Sequence, residues 1–142
     1  MLVEKRRILL IDDEIDKCEI FLKAMEKIPA LFKYSFVNNT ADALQYVNKI
    51  TPDFIFFDMD KPGPDDLSSL ETIRTQRHIR HIPFFVYATT FSENISNKAT
   101  ELGVSKCVKK PKDVRTLVKF LKKLFHQSRR AEIRNYAPRQ KA

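Results

Sequence analysis

The chain has 142 residues, of which 43% are hydrophobic, and a formal net charge of +8 at pH 7. This length and hydrophobic content suit one domain with its own core, and the two cysteines, Cys18 and Cys107, are too far apart in sequence to suggest a disulfide framework. No apolar run reaches membrane-spanning length and the N-terminal apolar stretch is too short for a secretion signal, so we expect a cytoplasmic protein with two buried free thiols and no membrane contact.

Five short apolar runs alternate with longer amphipathic segments along the chain. The runs predict strands at 8–11, 34–37, 54–57, 84–88 and 104–108. The segments predict helices at 15–28, 40–50, 67–75, 93–102 and 114–125. Thr40 and Ser92 are the expected N-caps of the second and fourth helices, and Gly103 stands at the usual position after a helix end.

This alternation of strands and helices predicts the fold class. Strands joined by helical crossovers, which are almost always right-handed, form a parallel sheet that is covered on both faces. We therefore predict an α/β protein with a flavodoxin-like, doubly wound (βα)5 fold and a five-stranded parallel sheet. From about Gln127 the helical pattern stops and the sequence becomes polar and basic. We expect residues 1–127 to form the domain and residues 128–142 a flexible basic tail.

Acidic residues and one lysine stand at the ends of three predicted strands. Asp12 and Asp13 follow the first strand, Asp58 ends the third, and Lys110 follows the fifth. The carboxyl ends of parallel strands meet at one edge of the sheet, where open α/β sheets place their sites. Magnesium prefers oxygen ligands in near-octahedral geometry and usually keeps several waters. The sequence therefore predicts a site for one magnesium ion and one phosphoryl group at this edge.

Each of these residues has a chemical role in the predicted site. Asp13 and Asp58 are the expected carboxylate ligands of Mg2+, Asp12 would hold a coordinated water, and the backbone carbonyl of Asp60 would complete the set. Carboxylates packed together repel one another, so the site should bind a cation more weakly as the pH falls. Asp58 is the best nucleophile, because carboxylates form acyl phosphates when a metal screens the phosphoryl charge. Lys110 would pair with that group as a point charge.

Three motifs taken together resemble a known family. Asp12-Asp13, the segment from Asp58 to Gly63 (DMDKPG), and Lys110-Pro111 resemble the signature of receiver (CheY-like) domains of two-component response regulators. The resemblance covers residues 6–125. It implies that Asp58 is phosphorylated by a histidine kinase or a phosphotransfer protein, with Mg2+ as cofactor and Lys110 in contact with the phosphate. The Lys110–Pro111 peptide is commonly cis in such domains.

The resemblance also implies how the protein works. It predicts a stand-alone response regulator with no attached effector, which acts by binding a downstream protein partner. It is then a phosphoacceptor and not an enzyme, because its own chemistry is limited to accepting and losing the phosphoryl group. The kinase, the downstream partner and the oligomeric state do not follow from the sequence.

Three positions depart from the pattern of the family. A Ser or Thr is usual at the end of the fourth strand, whereas ungapped counting from Pro83 places Ala88 there and Thr89 next. Either Thr89 serves as the switch hydroxyl, or the hydroxyl is missing. Cys107 replaces the usual aromatic residue three positions before the lysine, and Asp66 stands where a glycine is usual. We expect an acidic pocket that accepts phosphate and relays the signal through an altered surface formed by the fourth helix, the fifth strand and the fifth helix.

The sequence is also compatible with three other functions. One alternative is a phosphorylation-independent interaction module. A second is a haloacid-dehalogenase-type phosphatase, whose nucleophile motif resembles Asp58-Met59-Asp60, although that family places its nucleophile after the first strand. A third is a nucleic-acid-associated regulator that uses the arginines at 129, 130, 134 and 139 to contact phosphates. We favour a solvated tail over nucleic-acid binding, because no recognised binding motif follows residue 127.

Overall fold

The computed structural model of the protein describes residues 4–12, 14, 18–60 and 66–141, and for residue 66 and residues 129–141 it describes the backbone alone. Strands and helices alternate along this part of the chain. The strands are β1 (Arg6–Ile11), β2 (Phe32–Val37), β3 (Phe54–Asp58), β4 (Phe84–Ala88) and β5 (Lys106–Lys109). The helices are α1 (Glu19–Lys27), α2 (Thr40–Lys49), α3 (Asp66–Arg74), α4 (Glu93–Glu101) and α5 (Val114–Lys141), with a 3-10 helix at Arg77–Ile79.

The strands form one parallel sheet in the order β2-β1-β3-β4-β5. The chain leaves β1 toward one edge of the sheet to make β2 and then returns to place β3 on the other side of β1. The order therefore reverses between β1 and β3, and ligands of open α/β sheets bind at such a point. The predicted doubly wound (βα)5 fold is confirmed.

The core consists of two apolar layers, one on each face of the sheet. Alternate residues of a strand point to opposite faces, so Ile8 and Leu10 pack into one layer while Leu9 and Ile11 pack into the other. The first layer is completed by α1 and α5, and the second by α2, α3 and α4. Both faces are covered, which explains why the three inner strands, β1, β3 and β4, contain apolar runs.

The last strand begins later than its sequence predicts. We placed it at 104–108, whereas β5 covers Lys106–Lys109. The reason lies at the end of α4, where the Gly103 N–H donates to the Thr100 carbonyl and the Val104 N–H donates to the Ala99 carbonyl. This is a Schellman ending, with Gly103 at a φ of 68°. The Val104 amide is thus used by the helix, and the strand ladder starts after it.

The two predicted N-caps have different outcomes. Ser92 caps α4 as predicted, since its hydroxyl accepts from the Ile95 N–H at 3.2 Å. The cap of α2 is Asn39 and not Thr40, because the Asn39 side chain accepts from the Asp42 N–H at 2.7 Å. Asn and Thr both cap helices well, so the sequence predicts that α2 begins near these residues but does not distinguish Asn39 from Thr40 as the N-cap.

The last helix is longer than its apolar pattern. We predicted that it ends near Gln127, and this end is wrong, because the α5 backbone continues to Lys141. Residues 128–137 lack an apolar stripe but include good helix formers and no glycine or proline. The division into a domain and a basic tail stays a prediction. In the described part of the chain, no helix is both long and apolar enough to cross a membrane.

Candidate functional site

The register of the sheet brings the predicted site residues to one edge. Ile11 of β1 pairs with Phe57 of β3, so the residues that follow, Asp12 and Asp58, lie on adjacent strands at the same level. On the other side of β3, Asp58 pairs with Tyr87 of β4. The Lys110 N–H donates to the Ala88 carbonyl and so continues the β4–β5 ladder by one residue.

Asp58 lies at the centre of this edge and is largely buried. Its side chain is 7% exposed, and its Oδ2 forms an ion pair with the Lys110 ammonium. Its Oδ1 accepts from the Asp60 N–H at 3.0 Å. Burial raises the pKa of Asp58 to about 6, and the hydrogen bonds from Lys110 and from the Asp60 amide offset only part of this rise. The negative charge of Asp12 acts in the same direction as burial.

The carboxylate of Asp60 makes the densest set of contacts in the site. Its Oδ1 accepts from the Thr89 N–H, and its Oδ2 accepts from the Thr89 hydroxyl at 3.0 Å and from Lys110 Nζ at 2.6 Å. Partial burial acts to raise the pKa of Asp60, but the bonds from Lys110 and Thr89 outweigh it, and the pKa is lowered. Asp60 therefore joins the ends of β3, β4 and β5 through one anion.

Lys110 connects the two carboxylates. Burial acts to lower its pKa, but its hydrogen bonds to Asp58 and Asp60 outweigh burial, and the pKa is raised. The ammonium also lies 5.4 Å from the ring centre of Tyr87, within range of a cation–π interaction. The lysine is thus held fully charged and fixed in place.

Asp12 is a buried carboxylate beside the same edge, with 5% of its surface exposed. Its Oδ1 accepts from the Glu14 N–H at 2.8 Å, and its Oδ2 accepts from the Cys18 thiol, with Sγ and Oδ2 2.9 Å apart. Burial raises the pKa of the Cys18 thiol, and the hydrogen bond to Asp12 raises it further. The thiol therefore stays protonated and remains a donor to Asp12.

These side chains line one cleft of about 440 Å³. Asp12, Asp58, Asp60, Thr89 and Lys110 all contribute to its wall. The predicted ligand Asp13 lies outside the described residues, and among the described residues alone no cluster of three metal-binding side chains occurs. The donor chemistry nevertheless fits Mg2+, because the carboxylate oxygens of Asp12 and Asp58 each keep a free lone pair beside the hydrogen bond that they accept.

The departures from the family pattern have structural counterparts. Ala88 is fully buried in the second core layer, whereas the hydroxyl of Thr89 faces Asp60. Cys107 is half-buried against that same layer and is a free thiol, so only Cys18 is the buried thiol that we expected for both cysteines. The Lys110–Pro111 peptide is trans, unlike the cis form that is common in the family.

Sequence reasoning missed three participants in this site. It assigned a role to the Asp60 carbonyl but none to the Asp60 carboxylate, and it did not place the Cys18 thiol beside Asp12 or the Tyr87 ring beneath Lys110. One signal was available for Asp60. It stands two residues after Asp58, just past the end of β3, and so lies at the same edge of the sheet as the other site residues.

Comparison with known proteins identifies the family. The family model for the response regulator receiver domain matches residues 8–122. The chain therefore belongs to the response regulator receiver domain family, as its motifs predicted.

Two curated relatives illustrate the range of this family. The chemotaxis protein CheY-3 of Vibrio cholerae is 25% identical over 133 residues, which are 89% of this chain and 97% of that protein. A protein-glutamate methylesterase/protein-glutamine glutaminase of Nitrobacter winogradskyi is 24% identical over 113 residues, or 80% of this chain. These cover only 27% of the methylesterase, so the chain spans less than a third of its length, and the match runs through its receiver domain.

Solved structures show the same fold. The phosphorylated cyanobacterial phytochrome response regulator RcpA matches with a TM-score of 0.70 and 20% identity, over 85% of this chain and 91% of that one. The Mn(2+)-bound response regulator Rcp1 matches with a TM-score of 0.66 and 19% identity, over 81% and 88%. Receiver domains are signalling domains that generally bind Mg2+ and interact with histidine kinases and downstream targets.

Proposed function

We propose that the protein is a response regulator that accepts a phosphoryl group on Asp58. The donor is a histidine kinase or a phosphotransfer protein, and the cofactor is Mg2+ bound by Asp12, Asp13, Asp58 and the backbone carbonyl of Asp60. The phosphorylated protein then signals by binding a downstream protein. The observation that carries this proposal is the placement of Asp58, a buried carboxylate in contact with Lys110 and next to Asp12 at one edge of the sheet.

The proposed transfer follows from the chemistry of these groups. An oxygen of Asp58 attacks phosphorus, a P–O bond forms, and the P–N bond of a phosphohistidine donor breaks, while the leaving imidazole takes a proton from solvent. Lys110 holds an ammonium against the new group, and the low exposure of Asp58 limits the access of water to the acyl phosphate. When bound, Mg2+ screens the negative charge that the carboxylates and the phosphoryl oxygens bring together.

The proposed output leaves from the α4-β5-α5 side of the molecule. Thr89 follows β4 and Lys110 follows β5, so a group that pulls on these residues acts on the strands next to α4 and α5. β5 is an edge strand, and Lys106 and Lys109 on it are exposed. A surface of this kind suits a partner with acidic residues.

The proposed function is tested by phosphorylation with a small-molecule donor. The full chain is incubated with acetyl phosphate and Mg2+, and the intact mass is measured for the wild type, Asp58→Asn and Asp53→Asn. Asp53 is a matched control, because it lies just before β3, at the other end of the strand, where it accepts from the Arg7 N–H. We expect one added phosphoryl group in the wild type and in Asp53→Asn, and none in Asp58→Asn. Equal modification of Asp58→Asn would remove Asp58 from the proposed role.

A second candidate is a phosphorylation-independent interaction module, and one observation favours it. Thr89 and Lys110 bind an anion that belongs to the chain itself, the carboxylate of Asp60. Under this alternative, neither acetyl phosphate nor a cognate kinase adds mass to the wild type, and partner binding is the same with and without the donor. The intact-mass experiment therefore separates the two candidates.

A further inference from the structure

The contacts of Asp60 form an anion-binding arrangement that is already filled. One backbone amide, one hydroxyl and one ammonium converge on its two carboxylate oxygens, from residues that follow β4 and β5. Charge-assisted hydrogen bonds of this kind are roughly twice as strong as neutral ones. The Asp60 side chain is 28% exposed, so water is available to donate hydrogen bonds to this carboxylate. It nevertheless accepts hydrogen bonds from Thr89 and Lys110.

These donors line the same cleft as Asp58, the residue that would carry the phosphoryl group. Lys110 contacts Asp58 and Asp60 with the same nitrogen, so a group attached to Asp58 extends into the space next to that ammonium. The hydroxyl of Thr89 reaches the same Oδ2 atom of Asp60 that Lys110 contacts. A phosphoryl oxygen and the Asp60 carboxylate therefore compete for the same hydrogen-bond donors.

Proton counting shows which donors are contested. The Thr89 N–H and the Thr89 O–H each have one hydrogen, so each serves one acceptor at full strength, whereas the Lys110 ammonium has three and can serve both anions. Binding of a phosphoryl group to Thr89 thus requires release of the Asp60 carboxylate. Two anions in one small site also repel each other, which favours the exchange of one for the other over joint occupancy.

We propose that the Asp60 carboxylate is an internal competitor of the phosphoryl group: it binds the amide and the hydroxyl of Thr89 before phosphorylation, and the phosphoryl group displaces it. This inference rests on the proposed function, since it concerns the group that Asp58 accepts. The signal is then an exchange of anions at Thr89, and the strength of the Asp60 contacts sets how readily the site is occupied.

The test uses beryllofluoride, an anion that binds to a carboxylate as a mimic of a phosphoryl group. It is titrated in the presence of Mg2+ into the full chain, and NMR follows the Thr89 amide and the side-chain carboxyl carbon of Asp60. In the wild type, we expect both signals to move together with one half-saturation concentration. In Asp60→Ala, we expect half-saturation at a concentration at least tenfold lower, with Asp60→Asn between the two because its neutral amide still accepts from Thr89.

A control separates competition from a general effect of charge. Glu14→Gln removes one negative charge from the wall of the same cleft, at a residue other than the acceptor of the Thr89 and Lys110 bonds. We expect it to change half-saturation by less than threefold. An equal gain in Glu14→Gln and Asp60→Asn would overturn the inference, as would a wild-type titration in which the Asp60 carbon signal stays fixed while beryllofluoride binds.

The outcomes also distinguish this inference from the function on which it rests. If the wild type and Asp60→Ala bind beryllofluoride equally well, the internal competitor is disproved and phosphorylation of Asp58 stands. If no protein binds it and acetyl phosphate adds no mass to any variant, both proposals fail. Asp60→Asn preserves the size of the side chain and so tests the idea even if Asp60→Ala folds poorly.

Discussion

The two halves of the cleft differ in how their charges are balanced. On the β1–β3 side, Asp12 and Asp58 are nearly buried, and burial together with mutual repulsion raises the pKa of Asp58 to about 6. On the β4–β5 side, Asp60 is more exposed, and its bonds with Lys110 and Thr89 lower its pKa despite partial burial. One half has an excess of negative charge, and the other half is neutralised within the chain.

This difference indicates which ligand each half is prepared for. A group of buried carboxylates gains most from a cation, which removes the repulsion between them. A set of donors that already holds an anion gains little from a second one. The β1–β3 side of the site is therefore suited to bind Mg2+. On the β4–β5 side, the proposed phosphoryl group has to displace Asp60 from its hydrogen-bond donors. Lys110 belongs to both halves, so its removal should have the largest effect.

Replacement of Lys110 tests the connection between the halves. Lys110→Met leaves the carboxylates of Asp58 and Asp60 without their shared cation, and removal of one partner of a buried ion pair is strongly destabilising. Because Lys110 is partly exposed, we expect a loss of ~2–4 kcal/mol in the free energy of unfolding at pH 7, measured by urea denaturation. The loss should shrink at pH 5, where Asp58 is largely protonated.

The neighbouring lysine is a matched control for this experiment. Lys109 lies on β5 with an exposed side chain, and a surface substitution of this kind usually changes stability by less than about 0.5 kcal/mol. Equal losses in Lys109→Met and Lys110→Met would show that the ion pairs of Lys110 do not contribute to the free energy of unfolding. A loss in Lys110→Met that is the same at pH 5 and pH 7 would argue against the raised pKa of Asp58.

The raised pKa of Asp58 predicts how stability depends on pH. Between pH 3.8 and about pH 6, the native state holds a proton that the unfolded state has lost, so the stability of the wild type falls as the pH rises through this window. Asp58→Asn removes this loss. We expect the variant to be more stable than the wild type by ~2–3 kcal/mol at pH 7.5, and the difference to vanish below pH 4, as measured by urea denaturation. A difference that is constant from pH 4 to pH 7.5 would contradict the prediction.

Magnesium binding tests the acidic half alone. Asp12→Asn removes one carboxylate beside Asp58, so we expect the Mg2+ concentration for half-saturation at pH 7.5, measured by isothermal titration calorimetry, to rise at least tenfold, or about 1.4 kcal/mol. In the wild type, the affinity should fall as the pH drops below 6, because protonated Asp58 is a poor ligand. EDTA should reverse the binding. Asp53→Asn, at the opposite end of β3, should bind Mg2+ like the wild type.

The acidic half was easier to predict from the sequence than the neutralised half. Asp12, Asp58 and Lys110 were found because each follows an apolar run, and the ends of parallel strands meet at one edge whatever the details of the loops. The contact between Asp60 and Thr89 was not found, because it depends on the register between β3 and β4 and on the side-chain direction of a residue beyond the strand end. Neither of these can be read from periodicity.

The errors in the fold have the same origin. β5 starts late because the end of α4 uses the Val104 amide, and this local hydrogen bond overrides the apolar character of Val104. α5 continues beyond Gln127 because an apolar stripe marks where a helix is buried, and not where it ends. The apolar pattern of the sequence thus predicted the strands and helices. The residues at which they begin and end depend on hydrogen bonds that this pattern does not specify.

The smallest expected effect concerns the hydroxyl that closes the neutralised half. Thr89→Val removes the hydroxyl bond to Asp60 Oδ2 but keeps the Thr89 amide and the Lys110 ammonium in place. Thr89 is exposed, so we expect a loss of only ~0.5 kcal/mol in the free energy of unfolding. The clearer readout is the pKa of Asp60, measured from its carboxyl carbon signal, which should rise toward its usual value because one of the donors that lower it is gone. Thr89→Ser should keep the low pKa of Asp60, and Thr90→Val, at the exposed neighbour, should leave this pKa unchanged. A pKa of Asp60 that does not respond to Thr89→Val would mean that Lys110 alone neutralises the charge of Asp60.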